Sequence, residues 1–118
     1  MSDSETIEKF EAMLVKGMDS PMLRLTLGNA YWKSQKFDLA AEHLQSAVQQ
    51  KPDYSAAWKT LGRVYADNGE PEKALEAYDS GLAAAAENGD KQSEKEITVF
   101  RKRAVSYTHL TLPTICSV

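Results

Sequence analysis

The chain has almost no thiols: Cys116 is the single cysteine in 118 residues, so an intramolecular disulfide is excluded, and with it a disulfide-stapled secreted scaffold. A reducing, cytoplasmic setting fits that composition. Histidine is nearly as scarce, with only His43 and His109, and no group of cysteines and histidines has the spacing of a zinc site. No glycine-rich phosphate-binding pattern is present, which removes the usual signal for a nucleotide cofactor. No apolar run approaches the roughly 18 residues that a membrane helix requires. The opening "MSDSETIEKFEAMLVKG" lacks the basic start and long apolar stretch of a secretory leader. An excess of positive charge is missing too, since the net charge is −3, so nothing draws the whole molecule to nucleic acid. These absences point to a protein with no metal, no cofactor, no membrane and no nucleic-acid partner.

What is present is an ordinary globular composition, 42% hydrophobic and 26% charged, and a segment that occurs twice. "LGNAYWKSQKFDLA" begins at Leu27 and "LGRVYADNGEPEKA" begins at Leu61, an offset of 34. The offset pairs Leu27 with Leu61, Gly28 with Gly62, Tyr31 with Tyr65, Ala40 with Ala74 and Leu44 with Tyr78. A period of this length is that of a helix–turn–helix unit that stacks on copies of itself. Within a copy, Leu27 and Tyr31, then Ala40, Leu44, Ala47 and Val48, recur at helical spacing, so each copy predicts two amphipathic helices. A glycine inside a helix costs up to about 1 kcal/mol against alanine. Gly28 and Gly62 are therefore expected to allow close approach of the paired helix at Ala40 and Ala74, with Tyr31 and Tyr65 filling the adjacent space. Punctuation agrees: Ser20-Pro21 and Pro52-Asp53 offer caps, and Asn68-Gly69-Glu70-Pro71 ends one helix in a left-handed glycine and starts the next.

The spacing Trp58, Leu61, Gly62, Tyr65, Ala74, Tyr78, followed in the first copy by Leu27, Gly28, Tyr31, Ala40, Leu44, Ala47 and Pro52, resembles the tetratricopeptide repeat signature. The resemblance implies an all-α helical-hairpin solenoid of two repeats. Departures are Arg24 in place of Trp58, Gly81 in place of Ala47, and Ala86 in place of Pro52, the last implying that the closing helix of the second repeat runs on to Asn88-Gly89.

Two repeats alone would leave apolar ends, so flanking helices are expected. The expected layout over residues 1–105 is a cap helix at about 3–16, repeats at about 21–52 and 55–88, and a cap helix at about 90–104. Ser2 to Glu5 reads as a capping box, followed by a stripe of Ile7, Phe10 and Leu14. Ile97, Phe100 and Ala104 form the stripe of the last helix, for which a broken third repeat is the competing reading. From Ala104 onward no Asp, Glu, Lys or Arg occurs, and threonines, Tyr107 and Pro113 lower helix propensity, so residues 106–118 are expected to be an extended or disordered, non-native tail. That tail also resembles a translated sequencing adapter, which would leave His109 and Cys116 without functional meaning.

Catalysis needs converging groups, and none are apparent. His43, beside Leu44, reads as a partly exposed packing or surface residue. Glu70, Glu72 and Glu76 lie at or near a helix start, where the dipole favours negative charge. The chain is therefore expected to be no enzyme but a protein-binding module of adaptor or co-chaperone-like, bacterial type. In a solenoid the first helices of successive repeats line the concave face. Leu25, Asn29 and Trp32 share that face on one helix, and Lys59 and Arg63 take the matching places on the next. A peptide segment of another protein is the expected ligand, with Trp32 as anchor and Asn29, Lys59 and Arg63 meeting acidic groups. The resemblance adds that some such domains clamp a terminal carboxylate with Lys and Asn in these places. Here only Asn29 and Lys59 fit. The plain alternative is that Lys59 and Arg63 form a solvated face while Trp32 packs under the N-terminal helix. A second copy of the chain is the other partner considered, joined end to end through Ile97 and Phe100. Arg101, Lys102 and Arg103 read as a complement to the dipole at a helix C-terminus. Trp58, read as a core residue, is expected to cost about 3–5 kcal/mol on truncation to alanine if fully buried.

Overall fold

The computed structural model describes the backbone of residues 3–116 and the side chains of residues 4–105. Among the described residues there are six helices and no strand: α1 Asp3–Val15, α2 Pro21–Lys33, α3 Phe37–Gln50, α4 Ser55–Asp67, α5 Pro71–Asn88 and α6 Lys91–Cys116. The chain is an all-α helical-hairpin repeat solenoid. Helices α2 and α3 form one hairpin and α4 and α5 the next, with α1 against α2 and α6 against α5. Helices α2, α4 and α6 stand side by side along one face, each touching the next, while α3 and α5 lie behind them.

Local chemistry sets most of the boundaries. Ser20 caps α2, its Oγ accepting from the Leu23 N–H at 3.2 Å, and Pro21 follows in the first turn. Gly69 (φ 77°) and Gly89 (φ 68°) adopt the left-handed conformation that closes α4 and α5, so α5 runs on to Asn88 before it stops. Asp53 is not the cap of α4. That place falls to Tyr54, and the Asp53 carbonyl instead accepts from Asn88 Nδ2 at 2.7 Å. Ser2, the first residue of the expected capping box, lies outside the described residues.

The repeat glycines act differently from the small-on-small contact that spacing suggested. A Cβ on Gly28 would stand 2.7 Å from Leu44 Cδ2, and one on Gly62 would stand 2.8 Å from Tyr78 Cζ, so each glycine is a socket for a large side chain of the partner helix. Ala40 and Ala74 are fully buried beside these sockets. Gly81 repeats the device: a Cβ there would meet Trp58 Cβ at 2.9 Å and Ile97 Cδ1 at 3.0 Å, which explains why this position departs from alanine. Ile97 is fully buried, and Phe100 packs beside Tyr78 with ring centroids 6.3 Å apart. Ile97 is thus covered by the chain itself, whereas Phe100 is half-buried. Trp58 is half-buried and not a sealed core residue, its indole N–H donating to the Pro52 carbonyl at 2.8 Å.

Helix α6 passes the end expected near residue 104 and continues to Cys116. Valine, tyrosine and threonine each cost only a few tenths of a kcal/mol against alanine, and extending an existing helix avoids the nucleation cost. Side chains beyond Val105, including His109 and Cys116, lie outside the described residues. Because α6 continues, Arg101 and Arg103 do not sit at a helix C-terminus. Arg101 Nε donates to Asp79 Oδ1 at 2.6 Å, and Arg103 lies over the Phe100 ring at 5.9 Å.

Two outcomes follow from the sockets and the half-buried indole. Gly62→Ala forces a methyl group into the buried Tyr78 ring and is expected to cost about 1–2 kcal/mol net of its propensity gain. Gly28→Ala, facing the flexible end of Leu44, is expected to cost less, and urea unfolding of the two variants checks the order. Trp58→Ala is expected to cost about 2–3 kcal/mol, below the range for a sealed tryptophan, by the same measurement.

Candidate functional site

The inner face carries the five residues singled out from sequence, but it does not leave them equally available. Leu25 and Trp32 are half-buried against the main core. The Trp32 indole N–H donates to Asp67 Oδ2 on α4 at 2.7 Å, which fixes the ring across two inner helices. Asn29 is half-buried, and its amide makes no hydrogen bond among the described residues. Lys59 is engaged within the chain: its Nζ stands 2.7 Å from Glu96 Oε1 on α6, and Gln92 Nε2 donates to Glu96 Oε2 at 3.0 Å. The Lys59 hydrogen bond, with the Gln92 bond second, holds the Glu96 carboxyl below its ordinary pKa. Arg63 lies over the Trp32 ring at 4.5 Å and over the Phe100 ring at 4.6 Å. Such contacts contribute about 0.5–1 kcal/mol each at exposed sites and restrict the guanidinium plane.

Where α4, α5 and α6 meet, the inner face opens into a cleft of about 250 Å³. Arg63, Arg103, Phe100, Asp67 and Tyr78 are among its lining residues. Tyr78 is 2% exposed, and burial pushes its hydroxyl pKa up to about 12. Sequence reasoning missed this cleft because Phe100 and Arg103 were assigned to a separate end cap. The available signal was a spacing of 35: Trp32 bonds Asp67, Ser55 bonds Asp90, and Asn88 bonds Asp53, each across 35 residues. Advancing Gly62 and Tyr65 by that interval reaches Ile97 and Phe100, so α6 stands where the first helix of a third hairpin would.

A second cluster lies at the other end. His43 is 7% exposed, more buried than a surface residue, and its ring stacks on Tyr31 with centroids 5.3 Å apart. Arg24 Nη1 lies 3.1 Å from His43 Nδ1. Because a guanidinium only donates, Nδ1 is the acceptor and the proton sits on Nε2, which faces Glu11 Oε1 at 3.5 Å. Arg24 also holds Asp19 through two bonds of 2.8 and 2.9 Å, and these, with Gln50, lower the Asp19 pKa to about 2. The departure from tryptophan at position 24 is thus a polar closure of the first hairpin. Among the described residues no group of three or more His, Cys, Asp or Glu side chains is placed to hold a metal ion.

The tetratricopeptide repeat family model matches residues 25–89. The chain belongs to that family. The TPR repeat-containing protein PA0015 of Pseudomonas aeruginosa is 48% identical over 97 residues, covering 82% of this chain and 92% of the relative. The solution structure of BPP2914 from Bordetella parapertussis is 43% identical with a TM-score of 0.77, covering 88% of this chain and 90% of that one. The TPR2B domain of yeast Sti1, solved in complex with pHsp70, has a TM-score of 0.80 at 19% identity, over 86% of this chain and 81% of that one, a likeness of fold alone. Tetratricopeptide repeats are protein–protein interaction modules, and members of the family are generally noncatalytic. Among the described residues no helix is long and apolar enough to cross a membrane.

The His43 arrangement has a pH consequence. Burial, ahead of the neighbouring charges, lowers the His43 pKa below its ordinary 6.5, with Arg24 acting in the same direction and Glu11, Glu42 and Asp19 opposing. The unfolded chain then takes up the proton first, so stability is full above about pH 6.5 and falls as the pH drops through that value. The urea midpoint is expected to fall between about pH 7.5 and about pH 5.5, and His43→Gln is expected to shrink that difference.

Proposed function

We propose that this tetratricopeptide repeat protein is a noncatalytic adaptor that holds an extended or helical segment of a partner protein along the inner face formed by α2, α4 and α6. The observation that carries the reading is the fixed array of Asn29, Trp32 and Arg63 on two adjacent inner helices. The indole is tied to Asp67, the guanidinium lies over two rings, and the Asn29 amide makes no hydrogen bond among the described residues. Groups already ordered in the free protein lose little entropy on binding, and aromatic and arginine side chains dominate interface energetics. An unengaged amide supplies both a donor and an acceptor to a passing backbone. Lys59 enters as a structural tie to Glu96, not as a ligand contact. The complex of the similarly folded Sti1 domain with pHsp70 supports a protein ligand. The relatives from Pseudomonas aeruginosa and Bordetella parapertussis support a bacterial setting.

Screening a peptide array and titrating the tightest peptide into the labelled chain tests the reading. Amide shifts are expected to cluster around Asn29, Trp32 and Arg63. Asn29→Ala is expected to weaken binding about twofold to tenfold, the range for one hydrogen bond. Shifts confined to α3 and α5, or no array peptide bound at all, would overturn it.

A further inference from the structure

The cleft between α4, α5 and α6 has a chemistry that peptide holding alone does not require. Its lining includes two cations and one carboxylate. Asp67 Oδ2 is taken by the Trp32 indole, whereas neither Arg63 nor Arg103 forms an ion pair among the described residues. Both guanidinium groups lie over Phe100, at 4.6 and 5.9 Å from its centroid. A ring contact does not use up the guanidinium N–H groups, and their fork matches the two oxygens of a carboxylate.

Tyr78 points the same way independently. A tyrosine this buried ordinarily hydrogen-bonds its hydroxyl. Here the hydroxyl has no hydrogen bond among the described residues, although the residue is only 2% exposed. No fully sealed side-chain polar atom among the described residues lacks a partner, so the Tyr78 oxygen must keep an opening, and the cleft that Tyr78 lines provides it. The cleft has the volume of about eight waters at about 30 Å³ each, room for a short side chain. Two cations offset by Asp67 suit a single negative charge better than a phosphate dianion.

We propose that this cleft is a subsite for the side-chain carboxylate of a glutamate within the partner segment, bound by the edges of Arg63 and Arg103 and by the Tyr78 hydroxyl. The assignment rests on the reading of the inner face as a groove for a partner segment, and it names what that segment carries.

The probe is acetyl-glutamate amide, titrated into the full chain while the arginine Nε–Hε resonances are followed. Acetyl-glutamine amide, an acetylated dipeptide with a free C-terminal carboxylate, and acetyl-phosphoserine amide serve as comparisons. The glutamate compound is expected to shift the Arg63 and Arg103 signals more strongly than any of the others. Tyr78→Phe is expected to weaken it about twofold to tenfold without lowering the melting temperature, because the hydroxyl bonds to no group among the described residues. Arg103→Gln, which disturbs one ring contact and no ion pair among the described residues, is expected to weaken it at least as much. Equal response to the glutamine compound, or unchanged affinity in both variants, overturns the proposal. Tighter binding of the terminal carboxylate or of the phosphoserine overturns the assignment to a glutamate side chain. If array peptides bind the inner face and tolerate every Glu→Gln change, the subsite fails while the groove stands. If the glutamate compound binds while no array peptide does, the groove fails and the subsite stands.

Discussion

The structure depends on a missing side chain being met by a large one. At Gly28, Gly62 and Gly81 the space where a Cβ would sit is taken by Leu44, by Tyr78, and by Trp58 together with Ile97. Each helix is thereby brought close to its neighbour at the point where the neighbour is bulkiest, and the interlock repeats through both hairpins and into α6. The helical cost of the glycines is about 1 kcal/mol each, and the sealed packing of Leu44, Tyr78 and Ile97 offsets it. Every inner-face feature inherits its position from these contacts, since α2, α4 and α6 touch one another only lightly and are held mainly by the helices behind them.

On that frame the charges divide into those that hold the array and those that face outward from it. Lys59 with Glu96 and Arg101 with Asp79 join neighbouring helices, Arg24 with Asp19 ties α2 to the turn before it, and all three are satisfied within the chain. Arg63 and Arg103 are held by aromatic faces instead. An ion pair quenches a cation, whereas a ring contact does not use up its N–H donors. The cations without an ion pair among the described residues of the inner face thus include Arg63 on α4 and Arg103 on α6.

Much of this was legible in the sequence, and the limits have physical causes. The matched pairs 34 apart identified the hairpins, because a stacking repeat must bury the same face each time. Spacing tells which face a residue occupies, but not which residue lies opposite. Gly62 was accordingly matched with Ala74, one turn from its actual occupant Tyr78. The Lys59–Glu96 pair spans 37 residues and joins α4 to a helix whose register is displaced by one, so a strict 34-residue comparison set Glu96 under Gly62 and hid the place of Ile97. Trp32 was recognised as an inner-face aromatic, but its tie to Asp67 depends on a side chain chosen by packing and not by periodicity. Arg24 and His43 read as unremarkable polar residues because burial of a polar cluster leaves no trace in a hydrophobic pattern.

Asp90 has a consequence for how the array comes apart. One of its oxygens accepts from the Ser93 N–H at 3.1 Å and closes the first turn of α6, while the other accepts from the Ser55 hydroxyl at the start of α4 at 3.0 Å. A stack of hairpins ordinarily frays from its last unit, one boundary at a time. Here a single carboxylate is shared by the opening turns of two successive inner helices, so separating α6 from that end also gives up a hydrogen bond of α4.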